Sequence, residues 1–153
     1  MLYGKEAFTM VELIFVIVIL GILAAVAIPK LAATRDDAYT AKLANNIMTS
    51  ASEITAYAMG TGQISSDMKV MSNAMSNLSR NGDATLSSNN AVIKYGSIND
   101  CVKISIDSNT TTGTDSLSVI FGNAGTDPKC ISLQSTITET TSPMKLRGQN
   151  AKF

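Results

Sequence analysis

The sequence predicts an α+β fold, a long N-terminal helix packed against a small antiparallel β-sheet in the outline of a ladle, on three observations. Leu13 to Ile28 contains no polar side chain. After Pro29 small and apolar residues recur at helical spacing among charged ones. From residue 91 onward, short runs alternate in hydrophobicity between stretches rich in Ser, Thr, Asn and Gly, the pattern of strands and loops. With 153 residues the chain has room for one such domain beside a membrane segment.

The apolar run Phe8 to Ile28 is 21 residues long. As a helix it would reach about 31 Å, enough for one crossing of a ~30 Å hydrocarbon layer. Lys5 and the initiating amine precede it, while Lys30 and Arg35 follow and are balanced by Asp36 and Asp37. This weakly places the N-terminus in the cytoplasm and the rest of the chain outside it. Three readings fit. A secretory signal would be cut near Ala25 to Ala27, but Glu6 and Glu12 against Lys5 make a poor positive leader. A plain uncleaved anchor accounts for the length and leaves Glu12 as a charge whose burial in lipid is costly.

The third reading starts from the residues "KEAFTMVELIFVIVILGILAAVAIPKLAATRDDA", positions 5 to 38. They resemble the N-terminus of type IV pilins and type II secretion pseudopilins, in which a short charged leader precedes a Phe-Thr-x-x-Glu start and an apolar helix. The resemblance spans about residues 1 to 60. It implies that residues 1–7 are a leader, removed by a prepilin peptidase between Ala7 and Phe8, with methylation of the new Phe8 amine. The family usually has Gly before the cut, so Ala7 is a departure, though the smallest one. A cut after Gly4 would start the chain at Lys5 and leave Thr9, not a carboxylate, four residues on.

No Lys or Arg lies between Lys5 and Lys30, so a helical Glu12 lacks a cationic side chain nearby. Its expected partner is the Phe8 amine, four residues away on its own helix or, as the resemblance implies, on an adjacent subunit. Lipid is as apolar as Leu, so apolar side chains alone hardly set the register of packed helices; Glu12 would set it. Gly21 and Pro29 are the expected kink: proline removes a backbone donor and clashes with the preceding turn. The resemblance adds looser helix between them; a simple bend at the membrane exit is the alternative. The implied partners are identical or related subunits, the peptidase, an inner-membrane assembly platform and the membrane itself. The implied location is the bacterial inner membrane with a periplasmic domain, then a filament.

Beyond Pro29, Leu31, Ala38, Ala41, Ala44, Ile47, Ala51, Ile54 and Ala58 mark an amphipathic half over 29–59, ending at Gly60 to Gly62. Residues 60–153 would then form a globular domain. A second helix is expected from about 66 to 80, with Met68, Met71, Met75 and Leu78 on one face as packing residues. Strands are expected at about 91–95, 101–107, 117–121 and 130–137. Cys101 and Cys130 are both out of phase with the apolar residues of their expected strands, so both should face away from the long helix. Their location beyond a membrane segment suggests a disulfide, two free thiols being the alternative. The resemblance adds that a comparable pair brackets the C-terminal region of many type IV pilins.

Asp107, Asp115 and Asp127 lie in loops that could offer oxygen ligands to Ca²⁺, and some pseudopilins bind calcium in such a loop. No EF-hand spacing is present, and solvated loop is the expectation, with no cofactor. The chain has no His and no Trp, no phosphate-binding Gly-rich loop and no recognisable acidic pair, so no enzymatic activity is expected. Lys+Arg and Asp+Glu total 12 each, and only Lys145, Arg147 and Lys152 make a modestly basic tail, so no nucleic-acid partner is expected. A filament subunit is the favoured reading. A minor or tip binding module on the same anchor, for adhesion or DNA uptake, and a plain signal-anchored domain are the alternatives.

Overall fold

The computed structural model describes residues 8–109, 114–137 and 144–146. The chain divides into two compact units, one through Ala38 and the other from Tyr39. Helix α1, Met10–Thr61, contributes to both. It is helical through Gly21 and Pro29, so the loosening expected between them does not interrupt it. In the first unit every described residue is exposed, including the apolar side chains from Met10 to Leu31. By length and composition this part of α1 could cross a membrane, as an anchor or as a signal sequence.

In the second unit α1 turns Leu43, Ala44, Ile47, Ala51, Ile54 and Ala58 into the core. The spacing keeps one stripe of the helix inward, and three alanines on it permit close approach. Where one helix was expected over 66–80 there are two short ones, α2 (Met68–Met71) and α3 (Asn73–Arg80). Ser72 separates them: it ends α2 in an extended conformation and caps α3, its hydroxyl accepting from the Met75 N–H at 2.9 Å. The break leaves the apolar face whole, because Met68, Met71, Met75 and Leu78 are all buried.

Five strands follow as an antiparallel meander in chain order: β1 (Ala84–Ser87), β2 (Asn90–Tyr95), β3 (Ile98–Asn109), β4 (Thr114–Phe121) and β5 (Met144–Lys145). β2, β3 and β4 contain the strands expected at 91–95, 101–107 and 117–121; β1 and β5 were not foreseen. Register stacks the inward residues in rows: Leu86, Ala91, Ile104 and Val119 in one, Ala84, Ile93, Val102 and Phe121 in the next. A third row runs Ile106, Leu117 and Met144. Opposed side chains of this kind are the stabilising unit of a sheet, and all three rows join the core that contains the α1 stripe.

One expected strand is a helix. Residues 130–137 fall largely in α4, Pro128–Thr136. Asp127 is its N-cap, with its carboxylate accepting from the Cys130 N–H, and Pro128 occupies the first turn, where its missing donor is harmless. The buried residues are Cys130, Leu133 and Ile137, spaced for a helix face, while Ile131 is exposed. Leu133 and Ile137 satisfy both periods, which is why alternation misled.

Candidate functional site

At the start of α1 the sequence brings Thr9 and Glu12 together. Glu12 Oε2 accepts from the Thr9 N–H at 2.9 Å and from the Thr9 hydroxyl at 2.7 Å, while the Glu12 N–H donates back to Thr9 Oγ1 at 3.3 Å. This is a reciprocal capping box, which satisfies donors that the first helical turn otherwise leaves without acceptors. A carboxylate there also complements the positive end of the helix dipole. The Thr-x-x-Glu spacing was legible in the sequence as a helix start, and sequence reasoning about Glu12 overlooked it. Phe8 is described and exposed; Ala7 and the other residues of the expected leader lie outside the described residues.

The cysteines do form a disulfide, with Cα atoms 5.7 Å apart. It joins β3 to α4, not two strands, so β4 does not stand between the two cysteines. Cys101 faces opposite to Val102 as expected, yet both cysteines are fully buried, because α4 covers that face. The Gln134 amide strengthens the same junction, donating to the Cys101 and Gly122 carbonyls at 2.8 and 2.9 Å.

Asp127 has a second task besides capping α4. Its Oδ2 accepts from the Ser97 N–H at 2.9 Å and the Ser97 hydroxyl at 2.6 Å, tying the β2–β3 turn to the start of α4. These donors, Ser97 first, hold its pKa well below the usual 3.8, at about 2. Gly96 makes the arrangement possible, since a Cβ there would meet the Asp127 carboxylate. Two further links tie α1 to the rest of the second unit. Glu53 accepts from the Ser72 hydroxyl at 2.6 Å and the Ala74 N–H at 3.0 Å, which lowers its pKa. The Tyr39 hydroxyl donates to Asp83 at 2.7 Å, which pushes its pKa up to about 12.

The three aspartates considered for calcium do not converge. Asp107 is exposed on β3, Asp115 is buried on β4, and Asp127 is engaged at α4. Among the described residues no group of three or more His, Cys, Asp or Glu is placed to hold a metal ion; residues 110–113 of that loop lie outside them. A groove of about 360 Å³ runs along α1 beside β5, lined by Met48, Ala51, Thr55, Met59 and Met144 among others. Its walls are mainly apolar, with Ser52 and Thr55 the polar side chains among the lining residues. No protein-family model, no curated protein and no solved structure matches the chain.

Proposed function

We propose that the chain is a structural subunit of a helical filament of the type IV pilus or type II secretion pseudopilus class, anchored in the inner membrane by residues 8–28 before assembly. One observation carries the reading: Phe8, Thr9 and Glu12 open a helix whose apolar side chains through Ile28 are all exposed in the single chain and which has no Lys or Arg before Lys30. Exposed apolar surface on this scale needs lipid or other copies to cover it. Prepilin peptidase removes residues 1–7, and the Phe8 amine, still charged after methylation, becomes the cation that this stretch otherwise lacks. A carboxylate in lipid favours association with whatever neutralises it, so Glu12 pairs with the amine of a neighbouring subunit and sets the axial step. The capping box supports this chemistry, because Thr9 already supplies two hydrogen bonds to Glu12. The disulfide fits assembly from the oxidising side of the membrane.

Mass spectrometry of the mature N-terminus tests the processing step. The expected start is methylated Phe8; a start at Met1 or at Ile28 overturns the reading. Glu12→Gln is expected to leave the chain in the membrane and to abolish or reorder filaments in sheared fractions. Normal assembly with unchanged symmetry would remove Glu12 from this role.

A further inference from the structure

The sequence contains one Asn-Gly pair, Asn81-Gly82, and the fold places it at the end of α3. Both residues are exposed. Asn81 is the C-cap, with φ −72° and ψ −11°, and Gly82 follows at φ +76°, the left-handed conformation that ends a helix. The Gly82 N–H donates to the Ser79 carbonyl at 3.1 Å and the Asp83 N–H to the Leu78 carbonyl at 2.9 Å. These two bonds close the last turn, where a helix frays most readily. Gly82 has no side chain to screen its nitrogen, and beyond its chain neighbours nothing lies within 4 Å of where a Cβ would stand. The other described asparagines outside helices and strands, Asn89 and Asn123, precede residues that carry a Cβ. Two residues after Asn81, Asp83 is a junction. Its carboxylate accepts from the Tyr39 hydroxyl at 2.7 Å and its carbonyl from the Lys94 N–H at 2.9 Å, so it joins the end of α3 to α1 and β2.

We propose that Asn81 is a self-modifying site, converted without an enzyme to aspartate and isoaspartate, and that the isoaspartate form loosens the Asp83 junction. The Gly82 nitrogen, released from Ser79 when the last turn opens, loses its proton to hydroxide and attacks the Asn81 side-chain carbonyl carbon. A C–N bond forms there, the bond from that carbon to the side-chain nitrogen breaks, and ammonia leaves after taking up a proton. The product is a five-membered succinimide. Water then adds to one of its two carbonyls. Opening on one side restores the original main chain with an aspartate. Opening on the other gives isoaspartate, in which the main chain runs through the former side-chain carbon and is one methylene longer. No oxidant or reductant is involved. The extra methylene disturbs the spacing on which the bonds to Ser79 and Leu78 depend, and the new carboxylate stands at the C-terminal end of α3, where the helix dipole disfavours negative charge. Asp83 passes the disturbance to Tyr39 and Lys94. The proposal is independent of the filament reading, because it requires only the folded second unit.

Incubation of the full chain in detergent at mildly alkaline pH, against a portion kept cold, tests this. A protease that cuts before aspartate and not before isoaspartate releases residues 67–82, which hold Asn73, Asn77 and Asn81. The isoaspartate product is expected as a 67–82 peptide heavier by the difference between an amide and an acid, with fragment masses placing the change at residue 81. The aspartate product is expected as a new 67–80 peptide. Hydrogen exchange on the incubated chain is expected to quicken by about fivefold at the Asp83 and Lys94 amides, the equivalent of one lost hydrogen bond, and to stay unchanged in the β3–β4 pairing. Asn81→Gln is expected to remove both the mass change and the quickened exchange. An unaltered residue 81 after incubation, a change at Asn73 or Asn77 that comes no later than the one at Asn81, or exchange at Asp83 and Lys94 that stays slow once isoaspartate has formed overturns the proposal.

Discussion

Leu20 and Ile47 belong to the same helix, yet Leu20 is 58 % exposed and Ile47 is fully buried. From Leu13 to Ile28 the helix is apolar on every side, and no described residue of the first unit covers it. After residue 39 it has one apolar stripe, and α2, α3 and the sheet enclose that stripe in a shared core. A helix that is apolar all round needs an apolar environment from outside its own chain, whereas an amphipathic one can be completed from within it. The second unit therefore has a core of its own, whereas the described residues of the first have none.

That contrast can be tested by measuring the second unit's stability by denaturant titration of the full chain in detergent. Replacing both cysteines with alanine is expected to have the largest effect, a loss of about 3 to 4 kcal/mol from reopening the loop that the disulfide closes. Ile54→Ala should cost about 3 kcal/mol, because a fully buried side chain leaves a cavity, while Ile19→Ala should shift the same transition by less than about 0.5 kcal/mol. An equal loss from both would show that the two stretches are not independent. Gln134→Ala should cost about 1 to 2 kcal/mol through two carbonyls that lose a donor.

The smallest effects are those of pH. Asp127 titrates lower in the folded chain than unfolded, so its contribution is complete above about pH 4 and is lost as pH falls towards about 2. Tyr39 titrates higher when folded, so its contribution is complete below about pH 10 and is lost as pH rises towards about 12. Asp127→Asn should flatten the acid limb of a stability profile and Tyr39→Phe the alkaline limb, each leaving the other limb in place.

Most of this architecture was legible in the residues, and the misses have physical causes. The long helix and its inward stripe follow from apolar spacing, and observed and expected ends differ by two residues at each end. The three central strands follow from alternation that fills long, two-sided pairings. β1 and β5 span four and two residues, too short for a periodic signal, and are strands because a neighbour pairs with them. α4 was misread because two apolar residues four apart fit either period; Asp127 and Pro128 held the deciding signal. The burial of the disulfide could not be read from strand parity, since it depends on which element lies across the outer face. At the candidate site, Glu12 stands out by its charge against the hydropathy of the run that follows. Its partner Thr9 was visible only when the same residues were read as a helix start.

The turn at Gly96 has a consequence for how change spreads through the second unit. Its φ of +63° lies where side chains are disfavoured, and the space a Cβ would fill is occupied by the Asp127 carboxylate. One carboxylate thus serves a hairpin turn and a helix start 30 residues apart in sequence. Gly96→Ala would strain the turn and displace the α4 cap together, next to the buried disulfide. A lesion there would register as one cooperative loss across three elements, although only a single methyl group had been added.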